Sequence, residues 1–214
     1  MYSGLENKDG LVMPKYNGER KKVKTGDIVL FSGKEGTIHA IKLIANSKWS
    51  HVGMVLRLPT SKAVFLWEST TLSNLKDAID GKIKRGVQLV LLSDRLSTYE
   101  GKASIRHLQN FEVFKSDYLK LMKFREKVRN RPYEKNKLEL IKAAYDGPFG
   151  HNEEDLSSLF CSELVAEAYQ TIGLLKKPPK GLPSNEYTPK DFSDVKDLTL
   201  ERDATLTKEI TLTI

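Results

Sequence analysis

One cysteine in 214 residues, Cys161, excludes an intrachain disulfide and any thiolate-based metal cluster. Histidine is also scarce. His39, His51, His107 and His151 are scattered, so carboxylates would have to complete any metal centre, and neither a metal nor an organic cofactor is expected. No apolar run approaches the roughly 20 residues that a membrane-spanning helix needs. Residues 1–20 are polar where a signal peptide would be apolar, so the expectation is a cytoplasmic protein with no transmembrane segment. Internal repeats, low-complexity tracts, a dinucleotide fingerprint and paired CxxC motifs are all missing. Two segments approach a known motif and fail it. Ser32-Gly33-Lys34-Glu35-Gly36 lacks the GxxxxGKS/T order of a phosphate loop, and Glu153-Glu154-Asp155 lacks the alternating ligands and turn glycine of a calcium loop. Both read as solvated loops.

What is present is ordinary for a globular chain: 39% hydrophobic and 29% charged residues with both signs interspersed. The length suits one domain, read as 23–214, preceded by an irregular lead-in over 1–22 that carries Gly4, Gly10, Pro14 and Gly18 without periodicity. The formal net charge of +7 favours anionic partners and leaves room for peripheral contact with anionic lipid. Its densest stretch, Lys120, Lys123, Arg125, Lys127, Arg129 and Arg131, falls on a helical pattern where a solvated face explains it. Aromatic residues do not interleave there as on a base-stacking surface, so no nucleic acid is expected.

Along the chain, Thr25-Gly26-Asp27 opens a short buried strand at 28–31, and Thr37 can cap a helix whose apolar positions are Ile38, Ile41, Ile44 and Ala45. Two β-rich runs, 51–57 and 63–68, flank the turn-like segment 58–62 with Pro59 in it. Further strands are expected at 87–92 and 104–114. Helical spacing returns at 116–129 and, more weakly, at 135–145. From Cys161, the residues Leu164, Val165, Ala168, Tyr169 and Ile172 mark an amphipathic helix that stops near Gly173, with Cys161 in its first turn. Residues 176–183 form a Pro, Gly and Lys loop, and 205–214 alternate as a half-exposed strand. The class is α+β, with sheet and helices segregated.

A thiol becomes a nucleophile when its thiolate is stabilised, and the unpaired N–H groups of a helix N-terminus do this while offering one arm of an oxyanion hole. A cysteine on a helix is more often an inert core thiol, so Cys161 needs a base. His51 stands at the mouth of a strand. A two-residue turn at Pro59-Thr60, or a four-residue turn over 58–61, pairs residues whose numbers sum to 119 and sets His51 directly opposite Glu68. Directly opposed Cβ atoms lie about 4.5 to 5.5 Å apart, within reach for the carboxylate to fix the imidazole tautomer. A three- or five-residue turn would send Glu68 to the other face. Acid, imidazole and thiol in that order constitute a nucleophile with its base and the group that orients the base. His39, His107 and His151 have no comparable setting and read as structural.

Four segments, Thr25-Gly26-Asp27-Ile28-Val29, Trp49-Ser50-His51-Val52-Gly53-Met54-Val55, Trp67-Glu68-Ser69 and Phe160-Cys161-Ser162-Glu163-Leu164-Val165, resemble the circularly permuted branch of the NlpC-type papain-like superfamily. That branch includes the YiiX-like proteins and, more distantly, lecithin:retinol acyltransferase. The resemblance covers roughly residues 23–175 and implies a permuted papain-like fold, with an antiparallel sheet packed against helices and the nucleophile at a helix N-terminus. It implies Cys161, His51 and Glu68 as the catalytic triad. Arg131-Pro132-Tyr133 resembles the superfamily's proline-tyrosine step beside the oxyanion, although 27 residues separate Tyr133 from Cys161 and a turn tyrosine fits as well. Ser50, Ser162, Trp49, Trp67, Tyr145 and Phe160 are the residues expected to line a cleft, with Trp49 and Phe160 equally suited to a core.

The implied activity is hydrolysis of an amide bond in a small peptide or cell-wall-type peptide through an acyl-enzyme. Two rivals stay open at this point: a lipid ester or thioester acyl hydrolase or acyltransferase on the same triad, and a non-catalytic binding module with an unreactive Cys161. The substrate is thus a small peptide, amino-acid-containing or acyl compound. The oligomeric state is left open.

Overall fold

Four consecutive buried residues, Ile28 to Phe31, can be apolar on both sides only in a strand covered on both faces, and that is where they lie. The computed structural model describes residues 16–33, 47–129, 131, 153–196 and 198–213, with the backbone alone over 153–160. Ile28–Gly33 (β1) is central in a six-stranded antiparallel sheet with His51–Leu56 (β2), Phe65–Thr70 (β3), Gly86–Leu91 (β4), Gly101–Arg106 (β5) and Ile210–Leu212 (β8), in the order β4-β3-β2-β1-β5-β8. Leu108–Gln109 (β6) and Thr205–Leu206 (β7) form a separate two-stranded ladder.

Alternation along the strands divides the core in two. On one face Ile28, Leu30, Val52, Met54 and Trp67 pack with Leu164, Val165, Ala168, Tyr169 and Ile172 of the helix Glu153–Thr171 (α4). Lys115–Val128 (α3) closes this side through Leu121 and Val128. On the other face Val29, Phe31, Val55, Leu66 and Val90 meet Leu92 and Leu96 of the short helix Leu92–Thr98 (α2), together with Tyr16 and Val23. Tyr16 belongs to a single helical turn, Tyr16–Glu19 (α1), whose first N–H donates to the carbonyl of Thr213 at 2.8 Å. Among the described residues, no helix is long and apolar enough to cross a membrane.

The α+β class, the antiparallel sheet and the helix on 116–129 agree with the sequence reading, and four local expectations are corrected. The strand expected over 104–114 breaks at His107, because Asp27 accepts from the His107 ring and from the Leu108 N–H and turns the chain into β6. The tail over 205–214 is two strands in two ladders. Arg106 splits it by donating to the carbonyls of Leu206 and Thr207 between them. Leu92, expected as the last residue of a strand, instead opens a helix over Leu92–Thr98, with Leu92, Arg95 and Leu96 buried at i, i+3 and i+4. Most consequentially, α4 begins at Glu153, so Cys161 lies well inside the helix rather than in its first turn, and 153–155 are helical rather than a loop. No Gly or Pro interrupts 153–160, and three acidic residues suit a helix N-terminus. The helices expected at 37–45 and 135–145 fall outside the described residues, as do His39 and His151.

Candidate functional site

His51 is the first residue of β2, where Phe31 is its partner on β1 and the two rings lie 5.6 Å apart at centroids. Beside it, Ser50 donates its N–H to the Phe31 carbonyl at 2.9 Å, fixing the entry of the strand. The connection to β3 spans 57–64, longer than either turn expected from the sequence, and the pairs are Met54 with Trp67, Val55 with Leu66 and Leu56 with Phe65. Continued towards His51, that register sets Thr70 opposite it and Glu68 two residues away on the diagonal. The register expected from the sequence is therefore off by two. An even slip preserves the face, and a Glu side chain spans the diagonal. Nε2 of His51 lies 2.7 Å from Oε2 of Glu68.

Both residues share the alternation of Val55 and Leu66, the face that α2 covers. Glu68 is fully buried and would be costly without partners. Its second oxygen, Oε1, accepts from Nε and Nη2 of Arg95 on α2 at 2.9 and 2.6 Å, and from the Gln88 side-chain amide on β4 at 2.9 Å. Burial alone would push Glu68 up. Arg95 and His51 outweigh it and hold the carboxyl down at about 2. Arg95 is itself fully buried and also donates through Nη1 to the side chain of Asn74 at 3.0 Å.

With Nε2 committed to Glu68, Nδ1 is the nitrogen left to His51, and it is buried. Cys161 is the further group that acts on the ring. Burial lowers His51, but the charge of Cys161 and its hydrogen bond, followed by Glu68, reverse this and raise the imidazole to about 9. Cys161 comes from α4, on the opposite face of the sheet from α2, and is fully buried. His51 opens β2, the strand against which α4 packs.

Other residues expected in the site are engaged elsewhere. The Ser50 hydroxyl contacts the Phe31 carbonyl at 3.4 Å, and the Ser162 hydroxyl donates to the Tyr187 carbonyl at 2.6 Å. Trp49 is buried with its indole N–H donating to Glu209 at 2.8 Å. Trp67 is in the core, edge-on to Phe124 at 5.5 Å. Tyr133 and Tyr145 lie outside the described residues, and the side chain of Phe160 does too. With Cys161 inside α4, the N–H groups around it belong to the helical ladder, so the open helix end expected beside the sulfur is not found there. No group of three His, Cys, Asp or Glu side chains among the described residues could hold a metal ion.

Arg95 and Gln88 were missed by the sequence reading. A signal existed, since a Glu in an otherwise apolar strand demands a cation, but the sequence does not say which of 35 Lys and Arg residues supplies it.

Comparison with known proteins places these features in a family. No curated protein matches the chain. Among solved structures, the metalloprotein yiiX from Escherichia coli O157:H7 matches with a TM-score of 0.45 and 21% identity, over 70% of this chain and 66% of that one. This chain therefore spans just under two thirds of that protein's length. The family described as permuted papain-like amidase enzyme, YaeF/YiiX, C92, matches residues 22–211, and the chain, with its histidine strand ahead of its cysteine helix, belongs to that family.

Proposed function

We propose that the chain is a cysteine amidase in which Cys161 is the nucleophile, His51 its acid and base, and Glu68 the group that orients His51. The observation that carries this reading is the buried contact of Glu68 with Nε2 of His51 at 2.7 Å, which leaves Nδ1 as the ring nitrogen available to Cys161, a group that acts on the imidazole. A protonated imidazole held by Glu68 carries a positive charge that would favour the anionic form of a neighbouring sulfur. The ion pair, rather than a helix N-terminus, then activates the thiol.

In this mechanism the thiolate attacks the amide carbonyl and forms a C–S bond. Nδ1–H gives its proton to the amide nitrogen as the C–N bond breaks, which releases the amine and leaves a thioester on Cys161. Neutral Nδ1 then takes a proton from water, the hydroxide attacks the thioester, and the sulfur leaves as thiolate beside the re-formed imidazolium. Throughout, Glu68 holds Nε2–H and stabilises the charged ring.

The substrate class we assign is the amide bond of a small peptide or cell-wall-type peptide, supported by the amidase character of the family. The test is a panel of short peptide amides and matched acyl esters, assayed by mass spectrometry with the wild type and with Cys161→Ser. Amide cleavage that disappears in Cys161→Ser is the expected result. Cleavage of esters alone would move the substrate class to acyl lipids, and turnover that survives in Cys161→Ser would overturn the nucleophile.

A further inference from the structure

Arg95, Glu68 and His51 are joined in sequence by contacts of 2.6 and 2.7 Å, and Cys161 acts on His51 in turn. All four are buried, and Arg95, Glu68 and Cys161 are fully so. We infer that Arg95 is a positioning residue for the site: it grips Oε1 of Glu68 through two N–H groups, so that the carboxylate stays charged and Oε2 stays aimed at His51. The inference rests on the catalytic reading of Cys161, His51 and Glu68.

The geometry is specific. A carboxylate with one oxygen held by Nε and Nη2 of a guanidinium and by the Gln88 amide cannot turn about its last bond without losing three hydrogen bonds. Nη1 of Arg95 also donates to the Asn74 side chain at 3.0 Å, so the guanidinium is held on a second side as well. The charged groups acting on Glu68 are Arg95 from α2 and His51 from β2, and Cys161 from α4 acts on His51 in turn. With Arg95 present, the ionised line sums to zero. Without it, forming the thiolate would leave a net negative charge in a buried space, which low dielectric penalises.

The test is the pH dependence of iodoacetamide labelling of Cys161 in the folded wild type, Arg95→Met, Arg95→Lys, Glu68→Gln and the double variant Glu68→Gln, Arg95→Met. In Arg95→Met the acid limb of labelling is expected to move up by about 1 pH unit or more, the usual reach of one charge at this distance. Arg95→Lys, which keeps the charge and gives up the fork, should move it less. Because Arg95 acts through Glu68, the double variant should show no shift beyond that of Glu68→Gln alone. An unmoved acid limb in both Arg95 variants, with only thermal stability reduced, would reduce Arg95 to a structural role.

A second readout separates this inference from the catalytic reading. The carboxyl carbon of Glu68, followed by 13C NMR in a Cys161→Ser background, should titrate at higher pH in the Arg95 variants than in their parent. A carboxyl that titrates unchanged would overturn the positioning role even if Cys161 proves catalytic. If the wild-type thiol instead labels without any dependence on His51, the triad has failed, and the carboxyl titration alone then decides what Arg95 does to Glu68.

Discussion

Glu68 divides its carboxylate between His51 at 2.7 Å through Oε2 and Arg95 at 2.6 Å through Oε1, so removing its charge disturbs two partners at once. Glu68→Gln preserves shape while leaving the buried Arg95 without a counter-charge. A loss of about 3 to 5 kcal/mol in unfolding free energy is expected, measured by urea denaturation. Adding Arg95→Met to Glu68→Gln should recover part of that loss, since the stranded cation is then gone. A double variant no more stable than Glu68→Gln would show that the stranded charge is not what costs stability.

Gly53 follows His51 by two residues, and a Cβ there would lie 2.7 Å from Cδ1 of Leu66 and 3.3 Å from the carbonyl oxygen of Trp67. Because both contacts belong to β3, the strand that carries Glu68, Gly53→Ala should force β2 and β3 apart where the His51–Glu68 contact is made. The expected cost is about 1 to 3 kcal/mol in stability, accompanied by a fall in kcat/KM measured under conditions where the variant is folded. Unchanged activity in a destabilised variant would mean that the contact tolerates a wider strand spacing.

His107 supplies a pH dependence of stability unconnected with Cys161. Its Nδ1 lies 2.7 Å from Oδ2 of Asp27, and its Nε2 lies 3.5 Å from Glu19. The hydrogen bond that its ring donates to Asp27 raises its pKa, burial opposes this, and the charges of Asp27 and Glu19 add to the rise. A raised value means that the folded state holds the proton more tightly. The stabilisation is therefore complete below the unfolded value of about 6.5 and is lost as pH rises through the folded one. Comparing His107→Gln with the wild type in urea should show the wild type ahead by about 1 to 2 kcal/mol near pH 5, with the gap narrowing towards alkaline pH. A gap independent of pH would assign the effect to packing alone.

The positions proposed here for the chemistry stand out in the sequence because local spacing marks them. A histidine opening an apolar run, a Glu inside the next run and a cysteine on a periodic helix are each visible within a few residues. Register was not, because it depends on the length of the connection over 57–64, where Ala63 and Val64 are as β-prone as the strand they precede. Arg95 was hidden because a charged residue in a short helical stretch reads as solvated unless its partner on another strand is known. The division of the tail between two ladders arises from Arg106, which reaches about a hundred positions along the chain to Leu206 and Thr207. No window of neighbouring residues contains that information.

The most direct measurement is the rate of iodoacetamide labelling of Cys161 against pH in the folded wild type and in His51→Ala, with the urea-unfolded chain as the baseline for an ordinary thiol. Because Cys161 is buried, the position of the acid limb rather than the absolute rate is diagnostic. The expected result is labelling in the wild type that persists to lower pH than in the unfolded chain, a difference that shrinks in His51→Ala. A wild-type limb that coincides with the unfolded chain and ignores His51 would contradict an activated thiol at Cys161.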